Sequence, residues 1–329
     1  MPTPDRRLRR ALLSDAAREW PNGTRSNSAT RSNNINLGGG CSELMRSYGL
    51  CKELRAPATR QTKHPFVFLH FSKCAGTSLL SSLKAGGWGY FSLYSGTSSR
   101  CGDGVSNKCC WWRERVHNLT ASGRQIRVLT QEPANEAPTV NNDGKLPIDP
   151  GFDATADFCA DFAYLTVLRP PIDRTHSHMC ERQVGFGNWQ QPKNTFFAVR
   201  KELRDNYYVR SLGGVDAWRA PEGELRARHL RAAARTLASF DVVMTLATLG
   251  RDAGAQMHRV GLPGFKPQHA YARSRADNNM HSGLRPACDV PPTSSELNRL
   301  VSATWWDAIL YEFASVLAAR RSGLSGAAR

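Results

Sequence analysis

Four short apolar runs stand out from the polar background of the chain. They are Phe66–Phe71 (FVFLHF), Ile126–Thr130 (IRVLT), Phe162–Leu168 (FAYLTVL) and Phe240–Leu246 (FDVVMTL). None alternates strictly with period two, so each reads as a strand covered on both faces, as in a parallel sheet. Helical periodicity appears between and after them, over Thr77–Lys84, Pro171–Arg182, Glu222–Ser239 and Ser294–Arg321. The last of these places Trp305, Ile309, Phe313 and Val316 at helical spacing and is expected to be one long closing helix. Strands alternating with helices predict an α/β fold with a central parallel sheet flanked by helices. Tyr94–Trp112 and Glu132–Asp157 read as loop inserts, and no internal repeat is visible. Residues 1–60 lack this pattern: they are rich in Ser, Asn, Gly and Arg and carry 11 basic against 5 acidic side chains. They are expected to form a basic, disordered leader ahead of one folded domain over 61–329.

Composition adds a partner class. The 329 residues hold 44 Lys and Arg against 28 Asp and Glu, a net charge of +16, and 35 of the cations are arginines. Such an excess points to a polyanion: nucleic acid, an anionic membrane, or an acidic ligand or polymer. Helix-turn-helix, zinc-finger and RNA-recognition signatures are absent, so nucleic acid is not the expected partner. No run of 18 apolar residues occurs, so no transmembrane segment is expected in this chain. The N-terminal stretch MPTPDRRLRRALLSDAAREW lacks the apolar core of a signal peptide.

Nine cysteines show no CxxC pair, and with His176 and His178 on different faces of a helix no metal site is expected. Cys41 with Cys51, and Cys101 with Cys109 or Cys110, are spaced to close short disulfide loops in an oxidising lumen; the other possibility is buried thiols. Asn22-Gly-Thr24 and Asn118-Leu-Thr120 are N-glycosylation triplets.

The chemistry concentrates where two strands run into helices. After the first strand comes Ser72-Lys73-Cys74-Ala75-Gly76-Thr77-Ser78 and then a helix. The end of such a helix binds anions, because its first amides point outward and the helix dipole adds partial positive charge. Gly76 allows close backbone approach, Thr77 and Ser78 offer hydroxyls, and Lys73 offers a point charge. The order is not that of a Walker A loop, in which Lys follows the second Gly. Without an anion, the same residues would simply cap a helix. The third strand leads into Arg169-Pro170-Pro171, with Asp173, Arg174 and Ser177 in the turns that follow. Arg174 and Ser177 are three apart and share a helix face, so together with Arg169 they could hold one phosphate. Alternatively they are surface residues with no joint role.

Taken together, the two junctions resemble the signatures of the Golgi-type carbohydrate sulfotransferases, the family of heparan sulfate 2-O-sulfotransferase and its relatives. Lys73, Gly76, Thr77 and Ser78 match the family's strand–loop–helix for the 5′-phosphosulfate, and Arg169, Pro171, Arg174 and Ser177 match its 3′-phosphate block. DNYYVRSLGG (Asp205–Gly214), FDVVMTL and WWDAILYEFA (Trp305–Ala314) resemble its later blocks, so the likeness spans about residues 64–318. Cys74 and Ala75 depart from the Thr or Gly common in that loop, and Tyr208 stands near a common Gln. The resemblance implies a P-loop-like nucleotide-binding sulfotransferase fold and a catalytic domain over 61–329. It implies 3′-phosphoadenosine 5′-phosphosulfate as donor without a metal, a hydroxyl-bearing anionic glycan as acceptor, and the Golgi lumen as location. Ser72 to Ser78 would hold one end of the nucleotide and Arg169, Arg174 and Ser177 the other. Arg273 and Arg275, with Lys266, sit in a basic run (KPQHAYARSR) that either closes over the nucleotide or is a solvated loop.

Sulfuryl transfer demands positioning and charge stabilisation more than covalent help. Lys73 is expected to act on the leaving oxygen. A base must take the proton of the acceptor hydroxyl, a contribution of roughly 10²–10⁴ in rate. Glu132, just past the second strand, is the preferred candidate and His117 the runner-up. A P-loop kinase would need a Walker lysine and a magnesium-binding Asp, and neither is present. A non-enzymatic polyanion binder remains the alternative that charge alone allows.

Overall fold

The computed structural model describes residues 40–54, 66–86, 90–92, 128–131, 162–181, 184–189, 201–262, 264–267 and 290–323. Five described strands form one parallel sheet: β1 (Phe66–Leu69), β2 (Tyr90–Ser92), β3 (Val128–Gln131), β4 (Ala163–Leu168) and β5 (Val242–Thr245), in the order β2-β3-β1-β4-β5. Phe66 is in register with Val128 on one side and Ala163 on the other. Four of these are the expected strands; β2 is the addition.

Both faces of β1, β4 and β5 are buried, which explains their unbroken apolar runs. Phe66 and Phe68 point into a layer with Leu79 and Leu83 of α2 (Gly76–Ala85) and Ala253 and Met257 of α8 (Leu249–Arg259). Val67 and Leu69 point the other way, into a larger core built from α5 (Tyr207–Leu212), α7 (Ala227–Ala238) and α10 (Trp305–Arg321). Successive residues alternate between the two layers, as strand geometry requires.

Three expectations change. The helix expected over Glu222–Ser239 begins only at Ala227, because Gly223 (φ +77°) and its neighbours form a turn whose Gly223 N–H donates to the Asp205 carboxylate. The long closing helix is two helices, α9 (Ser294–Ala303) and α10, broken at Thr304. An unbroken helix would bond Asp307 N–H to the Ala303 carbonyl. Instead Asn206 takes both: its N–H donates to that carbonyl (2.7 Å) and its Oδ1 accepts from Trp306 N–H (2.7 Å) and Asp307 N–H (3.2 Å).

Finally, part of the leader expected to be disordered is folded. Residues 40–54 carry α1 (Glu43–Ser47), N-capped by Ser42, and a Cys41–Cys51 disulfide. Met45, Leu50 and Leu54 are buried in the larger core, and the Arg320 guanidinium donates to the Leu54 carbonyl (2.9 Å). Three apolar side chains and a covalent loop fix a segment whose composition alone reads as polar. No described helix is long and apolar enough to cross a membrane.

Candidate anion-binding site

From β1 the chain passes to the β2–β3 side of the sheet and then returns across to β4 and β5. The carboxyl ends of β1 and β4 are therefore neighbours at the point where the connections diverge, which is where open α/β sheets bind ligands. Both sequence junctions are there.

The loop after β1 is shaped by its backbone. Lys73 (φ +66°) and Ala75 (φ +62°) are left-handed, and Cys74 between them is not. Alternation of this kind turns successive amides toward one side and makes an anion-binding concavity. Each left-handed side-chain-bearing residue costs about 1–2 kcal/mol, and such strain gathers at functional sites. Ala75 is the N-cap of α2 and supplies no side-chain cap. Leu79 N–H is bonded to the Ala75 carbonyl (2.9 Å), and the amides ahead of it have no place in the helix ladder.

Gly76 is needed for a steric reason: a Cβ there would lie 1.7 Å from Nε2 of His70, whose ring occupies that space. His70 stacks on Phe68 (5.3 Å), and burial together with the Lys73 charge lowers its pKa to about 4, so it is neutral at neutral pH. Lys73 and Ser78 are half-buried, Ser72 is buried, and Thr77 lies in the first turn of α2.

The loop after β4 brings Arg169 alongside. Its guanidinium Nη1 lies 3.5 Å from the Lys73 carbonyl, and its Nε is buried with no protein partner. Pro170 and Pro171 start α3 (Pro171–Glu181), and Ser177 is half-buried on it. Arg174 lies deeper than Arg169. It is 1% exposed, and its guanidinium turns inward to the Leu203 carbonyl (3.3 Å), the Thr175 hydroxyl (3.0 Å) and the face of the Tyr207 ring (4.5 Å). Its Nε and Nη1 have no protein partner. Arg174 is thus a buried cation with donors to spare, not the surface residue that the alternative reading allows. Glu132, His117, Arg273 and Arg275 lie outside the described residues. β3 ends at Gln131, paired with Leu69, so Glu132 directly follows the strand beside β1.

The residues that join the two loops come from a third element, and the sequence motifs did not mark them as site residues. α5 places Tyr207 and Tyr208 beneath the loops, and both rings meet Phe71 edge-on (5.6 and 5.0 Å). The Tyr207 hydroxyl accepts from the Ser72 amide (3.3 Å). The Tyr208 hydroxyl donates to the Arg169 carbonyl (2.8 Å), accepts from the Arg169 amide (3.1 Å) and lies 3.0 Å from Cys74 Sγ. Burial pushes the Cys74 thiol up to about 11 and the Tyr208 phenol well above its usual value, so both stay protonated. Asp307 of α10 accepts from the amides of Tyr208 (3.1 Å) and Val209 (2.9 Å), and full burial raises its carboxyl to about 7 despite those bonds. On the same helix, Arg210 donates to the carbonyls of Asp205, Ala217, Ala220 and Pro221 and pairs with the Asp205 carboxylate.

Among the described residues no group of His, Cys, Asp and Glu is placed to hold a metal ion. No protein-family model matches the chain, and no curated protein matches it.

Proposed function

We propose that the protein is a sulfotransferase of P-loop-like fold, moving a sulfuryl group from 3′-phosphoadenosine 5′-phosphosulfate to a hydroxyl of an acidic glycan. The observation that carries this reading is the pairing of two anion-binding junctions at neighbouring strand ends, with Arg169 reaching from one to the backbone of the other. Two such sites fit a nucleotide with phosphate at both ends. The donor set fits as well: a left-handed loop closed by Gly76, the Lys73 charge, and the spare donors of Arg169 and Arg174.

The loop after β1 holds the phosphosulfate, while Arg169 and Ser177 hold the 3′-phosphate. Arg174 supports that phosphate from beneath as a buried positive charge. In the reaction the acceptor oxygen bonds to sulfur as the sulfur–oxygen bond to the 5′-phosphate breaks. Lys73 and the loop amides stabilise the charge left on that oxygen. The acceptor proton passes to Glu132, with His117 the second candidate. The net charge of +16 suits an anionic acceptor. Cys41–Cys51, and Cys180 as a further disulfide-bonded cysteine, suit an oxidising compartment such as the Golgi lumen.

Titration calorimetry with 3′-phosphoadenosine 5′-phosphate tests the reading directly. Saturable one-site binding is expected. A folded sample without binding, or one that prefers ATP with magnesium, overturns it.

A further inference from the structure

Three hydrogen-bonding groups converge on one phenolic oxygen. Cys74 belongs to the loop after β1, the Arg169 amide and carbonyl belong to the loop after β4, and Tyr208 Oη lies within 3.1 Å of all three. The phenol has one proton, and its shortest acceptor is the Arg169 carbonyl at 2.8 Å. The thiol proton is then left to point at Oη (3.0 Å), with the Ser72 carbonyl (3.7 Å) as its other acceptor. The thiol and the phenol are both buried and stay protonated at neutral pH. The phenol is also held from behind. Its ring packs edge-on against Phe71 at 5.0 Å, and its backbone amide is bonded to Asp307 on another helix.

We propose that Tyr208 is a positioning residue whose hydroxyl fixes the spacing of the two anion-binding loops, so that both grip one nucleotide at once. The inference rests on the sulfotransferase reading, since it requires a ligand with two anionic ends. Packing alone does not call for the hydroxyl: a phenylalanine would fill the same core volume and keep the contact with Phe71. What the oxygen adds is a fixed distance between two backbones that share no strand hydrogen bond at this level. If binding must restore the loop spacing that such a bond otherwise holds, its loss lowers affinity by up to the worth of the bond, roughly three- to tenfold, and a small misplacement of reacting groups lowers turnover further.

The test compares wild type with Tyr208→Phe, using calorimetry with 3′-phosphoadenosine 5′-phosphate and NMR hydrogen exchange. The variant is expected to bind roughly three- to tenfold more weakly at a temperature where it is fully folded. Its Arg169 amide, deprived of an acceptor, should exchange faster than in wild type. Its kcat should fall while the KM for acceptor stays near wild type. If wild type binds the nucleotide and Tyr208→Phe binds equally well, Tyr208 has no positioning role, while the sulfotransferase reading stands. If wild type itself does not bind, that reading falls and the inference falls with it. Should Tyr208→Phe not fold, Cys74→Ala and Cys74→Ser interrogate the same junction. Serine keeps a donor to Oη and should bind more tightly than alanine, whereas equal affinities overturn the inference.

Discussion

Lys73 is a left-handed residue (φ +66°) in the loop between β1 and α2. Lys73→Ala keeps the Cβ, and with it the backbone strain, while removing the charge. Turnover in a sulfate-transfer assay is expected to fall about 100-fold or more, with a smaller loss in nucleotide affinity. Unchanged turnover would remove its role on the leaving oxygen. Two other residues couple the site to pH, with opposite signs. His70 has its pKa lowered to about 4 by burial and by Lys73. The folded protein then binds fewer protons than the unfolded chain between about 4 and the ordinary histidine value, so this group's contribution to stability rises with pH there and is lost as pH falls. Asp307 is raised to about 7 by burial. Its contribution is fully present below the ordinary carboxylate range and is lost as pH rises through about 7. The two oppose each other where their windows overlap. Asp307→Asn removes one partner and retains an acceptor for the Tyr208 or Val209 amide, so the variant should become more stable with rising pH between about 4 and 7 relative to wild type. Thermal unfolding of both proteins across that range decides it; parallel curves would mean that Asp307 does not titrate there.

At the scale of elements, α5 and α10 cap each other: Asn206 before α5 accepts from two amides of α10, and Asp307 of α10 accepts from two amides of α5. Asn206 is itself left-handed (φ +51°). Asn206→Ala loses the cap and strains the backbone, for a combined cost of about 2–3 kcal/mol in denaturant unfolding. Asn206→Gly loses the cap but relieves the strain, and should be less destabilised by about 1 kcal/mol; equal losses would show that the φ angle is immaterial. This reciprocal cap also shows where sequence reasoning stops. β1, β4 and β5 were legible because burial on both faces writes itself as a continuous apolar run, and the loop after β1 was legible because a backbone cradle is encoded within seven consecutive residues. β2, a three-residue strand, carries too short a pattern to separate from a loop. The break at Thr304 and the roles of Tyr208 and Asp307 depend on partners 39 to 134 residues away, and no local period records them. Arg174 reads identically in sequence whether it faces solvent or the Tyr207 ring; only the packing of α5 against α3 turns it inward.

Across the whole molecule, the charge divides into two kinds that respond differently to salt. On the proposed reading the nucleotide would meet few, sheltered donors: Arg174 is 1% exposed, and Arg169 is half-buried with its Nε out of solvent. The remaining excess behind the net +16 is spread along the chain, and on the same reading would act on an acceptor at long range. Exposed charges are screened over a Debye length of about 10 Å at 0.1 M salt and about 3 Å at 1 M, whereas buried ones are screened much less. Raising the salt from about 0.05 to 0.3 M should therefore raise the KM for an anionic glycan acceptor steeply, by roughly tenfold or more if several surface cations engage it. The affinity for 3′-phosphoadenosine 5′-phosphate should weaken to a lesser degree over the same range. Steady-state kinetics and calorimetry in matched buffers separate the two. If both parameters shift alike, the surface excess has no part in holding the acceptor, and acceptor recognition would rest on short-range contacts instead.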